Sequence, residues 1–173
     1  MTPRPHPLTN DRQPTTTQGD THMNSINTLA DLTALSGLEV LDHLDQEISI
    51  PVIAGPQAQG DLLVIPYGMV ADTISPRQFA HPTQVGPRGI ELLRSAAGGN
   101  PHSLVADVEQ GFCTWSVAVF REQLTLGAVD TSVVAYLIHP EHGATGIAPG
   151  RYVIRRQREQ SNTLFGRVHL VAD

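Results

Sequence analysis

Leucines recur at every third position near the start of the chain, between residues 27 and 46. This spacing is close to the helical period of 3.6 residues. Asn27 or Thr28 can cap the start of a helix, and Gly37 is expected to interrupt it. The pattern therefore predicts an amphipathic helical segment at 24–46, with two short helices at about 28–36 and 38–45. We expect the leucines buried against the rest of the protein to include Leu32, Leu35 and Leu41.

From Glu47 onward the period changes to that of β-strands. Apolar residues alternate with polar or small ones, and Gly and Pro separate the short stretches. Many short strands at regular spacing predict a mainly β domain over residues 47–173. We expect a small antiparallel barrel or a sandwich, with one or two N-terminal helices. The pattern predicts a loop at 67–88 and strands at about 103–108, 112–120, 123–126, 131–138, 152–157 and 168–171.

Residues 1–23 differ from both of these regions. They are rich in Pro, Thr, Asn, Gln and Asp, and Leu8 is the main apolar residue before Met23. Such a segment cannot bury enough apolar surface to offset the entropy lost on ordering. We expect a disordered tail at 1–23, and the total of 173 residues fits one domain behind it.

Charge and cysteine content exclude several classes of function. The formal net charge is −6, whereas proteins that bind nucleic acid usually carry a basic face, so nucleic acid is not expected as a partner. Cys113 is the only cysteine, which excludes an intrachain disulfide and a cysteine-based zinc site. No apolar run reaches the roughly 18 residues needed to cross a bilayer. We expect a cytoplasmic protein without a membrane partner.

Three segments resemble an uncharacterised family of small bacterial β-domain proteins, found mainly in actinobacteria. The first reads Q-G-D-L-L-V-I-P at 59–66, and the most specific reads H-P-E-H-G at 139–143 and then P-G-R-Y-V-I-R-R-Q-R-E at 149–159. The weakest reads G-N-P-H at 99–102, where that family has G-H-x-H, so Asn100 replaces its first histidine. The resemblance covers about residues 59–173 and implies a β-domain; the family has no established activity.

Histidines are the strongest candidates for chemistry. His139 and His142 flank Glu141 in a segment whose Pro140 and Gly143 predict a turn, and a turn can bring both imidazoles together. If the strand that carries His102 lies beside this turn, three imidazoles meet, and they would suit Zn²⁺ or Fe²⁺. This arrangement resembles cupin-type barrels, although the usual H-x-H with a following Glu is absent. The alternative is that the two histidines only stabilise the turn and His102 is a core or surface residue.

A second candidate site is a group of arginines near the C-terminus. Guanidinium groups bind phosphate and carboxylate bidentately, so Arg155, Arg156 and Arg158 could bind an anion. On a strand Arg156 and Arg158 would share one face and Arg155 would lie on the other. The alternative is a charged edge strand that discourages edge-to-edge pairing.

The sequence supports two main hypotheses about function and a third, weaker one, an anion or nucleic-acid binder that uses the arginines at 155–158. The first is a non-catalytic binding or assembly module within a protein complex, with a protein partner or self-association, because no strong catalytic motif is present. The second is a cupin-like metal-binding protein or metalloenzyme that uses His102, His139 and His142. Whether the protein is an enzyme stays open at this stage.

Overall fold

The computed structural model describes residues 26–94, 99–120, 124–160 and 168–170. The predicted tail at 1–23 lies outside these ranges. The first element is helix α1, Leu29–Ser36. Thr28 caps its N-terminus, since the Thr28 side chain accepts a hydrogen bond from the Asp31 amide and the Asp31 carboxylate accepts one from the Thr28 amide. Gly37, with a φ of 70°, ends the helix in the left-handed conformation.

The second predicted helix, at 38–45, does not form, and the segment runs through turns instead. Its Leu41 amide donates to the carbonyl of Pro140 in a later hairpin, at 2.9 Å. The prediction of three buried leucines was correct for Leu32, which is 0% exposed, and wrong for Leu35 and Leu41, at 37% and 43%. A three-residue spacing drifts around the helix by about 60° per step, so successive leucines leave the buried face.

In the described part of the chain, thirteen strands follow α1. In chain order they are β1 (Val52–Ile53), β2 (Gln57–Gln59), β3 (Leu62–Pro66), β4 (Phe79–Gln84), β5 (Ile90–Arg94), β6 (Pro101–Ala106), β7 (Cys113–Ala118), β8 (Thr125–Thr131), β9 (Ala135–His139), β10 (Gly143–Ile147), β11 (Gly150–Arg156), β12 (Arg158–Gln160) and β13 (Val168–Leu170). The predicted loop at 67–88 was wrong in part, because it contains β4 as well as three short 3₁₀ turns.

The strands form two main sheets. Sheet I has the order β1-β10-β9-β6-β5, and sheet II has the order β2-β3-β11-β8-β7-β4, while β12 pairs with β13. All named pairs are antiparallel except β1 with β10. Within the described ranges the two sheets do not close into a barrel, so the predicted mainly β fold is confirmed in its sandwich form. No helix in these ranges is long and apolar enough to cross a membrane.

The apolar core lies in two layers, one on each face of sheet I. Between the sheets, residues such as Leu62, Leu104 and Leu137 are fully buried. On the other face, Val105 and Tyr136 pack with leucines of α1. Successive strand residues therefore alternate between the two layers. At one end of the layer between the sheets, polar residues replace apolar ones.

Candidate functional site

The H-P-E-H-G segment is the hairpin that joins β9 to β10. His139 pairs with Gly143, which leaves the three residues 140–142 as the loop. Gly143 has a φ of 71°, the left-handed conformation that commonly closes a three-residue hairpin loop. The turn predicted from Pro140 and Gly143 is therefore present.

The three histidines selected from the sequence lie together. Ser103 of β6 pairs with Ile138 of β9, which makes His102 and His139 neighbours on the same face of sheet I. Their ring centroids are 4.3 Å apart, and the His142 ring centroid lies 4.5 Å from that of His139 and 6.5 Å from that of His102. His139 is 0% and His102 2% exposed, whereas His142 is exposed. The cluster thus reaches from the buried end of the sandwich to solvent.

The donor atoms that converge come from a different set of three residues. One donor atom each from His139, Glu141 and His142 lies within 4.8 Å of the other two. His102 differs, because its Nε2 lies 2.9 Å from Oδ1 of Asp61. Sequence reasoning placed Glu141 only between the two histidines, and its place within the turn was the signal that could have identified it as a ligand.

Asn100, immediately before β6, contacts two of the three converging residues. Nδ1 of His139 accepts a hydrogen bond from the Glu141 amide at 3.2 Å. Since Nδ1 accepts, the neutral ring carries its proton on Nε2, which lies 3.3 Å from the carbonyl oxygen of Asn100 and donates to it. The side-chain amide of Asn100 in turn donates to Oε1 of Glu141 at 2.9 Å. Asn100 therefore contacts His139 through its backbone and Glu141 through its side chain.

Asp61 joins the two sheets behind the histidines. It comes after Gly60, whose φ of 52° turns the chain between β2 and β3. Its Oδ2 accepts from the Arg156 guanidinium at 3.0 Å, and its Oδ1 faces His102 in a close approach that is not a well-aligned hydrogen bond. The Asp61 backbone carbonyl also accepts from the Gln157 amide at 2.6 Å. A nearly fully buried carboxylate thus has charged or polar partners on both oxygens.

Gln59 ties sheet II to the histidine hairpin. Its side-chain amide is buried and donates to the carbonyls of Leu137 and Gly143, at 3.0 and 3.1 Å. These two carbonyls lie on either side of the loop at 140–142. The contacts fix both ends of the loop that carries Glu141 and His142.

The residues of this network come from four separate segments, at 59–61, 100–102, 139–143 and 156–157. A family model described as a domain of unknown function, DUF8820, matches residues 58–157. The chain belongs to this family. The matched range contains all four of these segments and leaves α1 outside. Neither a curated protein nor a solved structure matches the chain.

Arg155 and Arg156, two of the three arginines predicted to bind an anion, project from opposite faces of β11. Arg156 faces the space between the sheets and pairs with Asp61. Arg155 comes after Ile154, a core residue, and therefore projects from the opposite face of β11. Burial lowers the pKa of Arg155, and its Nε and Nη2 atoms are buried with no hydrogen-bond partner among the described residues. Arg158 lies in β12, and whether any of the three binds an anion stays a prediction.

Proposed function

We propose that this DUF8820 protein binds a divalent transition-metal ion through His139, Glu141 and His142. The observation that carries the proposal is the convergence of their donor atoms within 4.8 Å of one another. A zinc ion binds nitrogen and carboxylate oxygen at about 2.0–2.2 Å, which places its ligand atoms about 3–3.5 Å apart in a tetrahedral site. Side-chain rotations of the exposed Glu141 and His142 would bring their donor atoms to that separation from His139.

The hydrogen bonds of His139 suit a ligand role. Metal-binding histidines typically donate their second ring N–H to a carbonyl or carboxylate, which fixes the tautomer and leaves the other nitrogen for the ion. His139 donates from Nε2 to the Asn100 carbonyl, so its lone pair is on Nδ1, the side of the Glu141 amide. An ion would replace only one hydrogen bond, of 3.2 Å. The backbone amide that lost it would be free to turn toward water.

The donor types favour particular metals. Two imidazoles and a carboxylate suit Zn²⁺ and Fe²⁺ better than Ca²⁺, which prefers oxygen ligands. Because Glu141 and His142 are exposed, an ion could enter from solvent and keep further coordination positions open to water. In this proposal His102 does not bind the ion. It packs against the His139 ring, and Asp61 contacts His102. The set inferred from the sequence, in which His102 itself is a ligand, is the alternative.

Calorimetric titration of the tag-free, metal-depleted full chain with Zn²⁺ tests the proposal. We expect one ion per chain at this site, no binding there in His142→Ala, and at least about tenfold weaker binding in Glu141→Gln. Glu109→Gln is the matched control, because it removes the same charge from another exposed position. His102→Gln should retain binding if His102 supports the site, and should abolish it if His102 is a ligand. Wild-type affinity in both His142→Ala and Glu141→Gln would reject this site.

A second proposal is a protein-binding module. Three large apolar side chains are more than half exposed at the end of β7: Val117, Val119 and Phe120. Exposed apolar clusters often mark interaction surfaces, and a partner would be met in the cytoplasm, the compartment that a single cysteine favours. Sedimentation velocity over a range of concentrations tests self-association, which Val119→Glu should abolish. A monomer at every concentration would argue against self-association through this surface.

A further inference from the structure

The geometry points to Asn100 as the residue that positions the proposed ion's ligands and thereby makes the site selective for small transition metals. This inference rests on the proposed function. Asn100 hydrogen-bonds to two of the three proposed ligands, His139 and Glu141, with separate groups. Neither contact is made by a neighbour in sequence, since 39 and 41 residues separate the partners.

The backbone conformation of Asn100 is restricted by Pro101, the next residue. A residue before proline favours extended conformations, because the proline ring clashes with the preceding residue in the helical region. Pro101 begins β6, whose neighbour in sheet I is β9. The direction of the Asn100 carbonyl toward His139 is therefore set by the chain and does not depend on the side chain. Substitution at position 100 can accordingly change the Glu141 contact while leaving the His139 contact in place.

The side chain of Asn100 restricts how Glu141 can bind an ion. Its amide donates to Oε1 of Glu141 at 2.9 Å, which uses one lone pair of that oxygen and disfavours binding of one ion by both carboxylate oxygens. Ca²⁺ takes six to eight oxygen ligands and commonly a bidentate carboxylate, whereas Zn²⁺ is satisfied with four ligands. The Asn100 amide is also neutral, so it hydrogen-bonds to Glu141 without adding a positive charge that would repel the cation. Asn100 thus favours one-oxygen coordination by Glu141, which favours Zn²⁺ over Ca²⁺.

Titration of the metal-depleted full chain with Zn²⁺, in the presence and absence of Ca²⁺, tests this role. We expect Asn100→Ala to weaken Zn²⁺ binding about 10- to 100-fold, the usual effect of losing an outer-shell partner. The thermal midpoint of the metal-free protein should stay within a few degrees, because Asn100 is partly exposed. The ratio of Zn²⁺ to Ca²⁺ affinity should fall. If Asn100→Ala does not fold, Asn100→Ser keeps a small polar residue that is too short to reach Glu141.

A double-mutant cycle with Glu141→Ala separates positioning from a general structural effect. If Asn100 acts through Glu141, its substitution should change Zn²⁺ affinity by less than about twofold when Glu141 is already absent. An equal loss in both backgrounds, or no loss in either, would overturn the role of Asn100 while the metal site stands. If the wild-type chain binds no Zn²⁺ at all, the proposed function itself fails, and that result is distinct from the other two.

Discussion

Oδ1 of Asp61 lies 2.9 Å from Nε2 of His102, and this contact joins sheet II to sheet I at the polar end of the sandwich. Both side chains are only 3% exposed, and Arg156 holds the other carboxylate oxygen at 3.0 Å. Burying charged groups is costly unless each has a partner. Asp61 therefore contacts the histidine cluster and also stabilises the fold, through one buried carboxylate.

Asp61→Ala should destabilise the protein by about 3–5 kcal/mol, because it removes a buried carboxylate from Arg156, whose side chain is only 17% exposed, and from the buried His102. Urea denaturation monitored by the fluorescence of Trp115 measures this change. Asp130→Ala is the matched control. Asp130 pairs with Arg151 at 3.4 Å, and both side chains are about half exposed, so its loss should cost at most about 1 kcal/mol. Equal effects of the two substitutions would contradict a structural role for the buried contact.

Gln59→Leu should destabilise the protein by about 1–3 kcal/mol, because two hydrogen bonds to backbone carbonyls are lost and each contributes about 0.5–1.5 kcal/mol. Gln57 provides a comparison on the same strand, since its side chain donates once, to the Gly146 carbonyl at 3.2 Å. Gln57→Leu should therefore cost about half as much. Hydrogen exchange at the amides of the β9–β10 hairpin should also become faster in Gln59→Leu. If exchange there stays unchanged, Gln59 does not hold the loop.

Leu32→Ala should destabilise the protein by about 2–5 kcal/mol, the usual range for a fully buried leucine. Leu32 is 0% exposed in the layer between α1 and sheet I, whereas Leu35, one helical turn later, is 37% exposed. Leu35→Ala should therefore cost clearly less than Leu32→Ala. Thermal unfolding of the two variants compares them directly. A larger effect of Leu35→Ala than of Leu32→Ala would mean that α1 packs against sheet I through the face that carries Leu35.

Local patterns in the sequence predicted much of the fold. The alternation of apolar residues predicted a mainly β domain, and Pro140 with Gly143 predicted the histidine turn. The helix at 38–45 was predicted wrongly because a three-residue repeat drifts off one helical face, and Gly37 turns the chain away. Local periodicity assigns a residue to a face of a strand, but it does not say which distant strand lies beside it.

The supporting residues of the site could not be predicted for this reason. Arg156 and Asp61 are 95 positions apart, and Asn100 and Glu141 are 41 apart. Each pair depends on the strand order of the two sheets, which short motifs do not contain. The proximity of the three histidines was easier to predict, because two of them belong to one hairpin and the third required only that its strand be adjacent.

The stability of the protein should fall between about pH 9 and pH 11 through Cys113. Burial is the main cause that raises the pKa of the Cys113 thiol to about 11 from an ordinary 9.0, and Asp130 adds to it. The folded state then keeps a proton that the unfolded chain releases. The free energy of unfolding that the protonated thiol contributes is fully present below about pH 9. It is lost as the pH rises toward 11, at up to about 1.4 kcal/mol per pH unit.

Cys113→Ala isolates this effect, because burial also raises the pKa values of Tyr136 and Tyr152, which both proteins share. Urea denaturation at pH 8, 9, 10 and about 10.5 should show the free energy of unfolding of the wild type falling toward that of Cys113→Ala as the pH rises. Below pH 9 the difference between the two should be constant. The thiol is fully buried, so a disulfide reagent at pH 8 should modify it only as fast as the protein opens. Parallel stability curves up to pH 10.5, or immediate modification, would show that Cys113 is ionised and accessible in the folded protein.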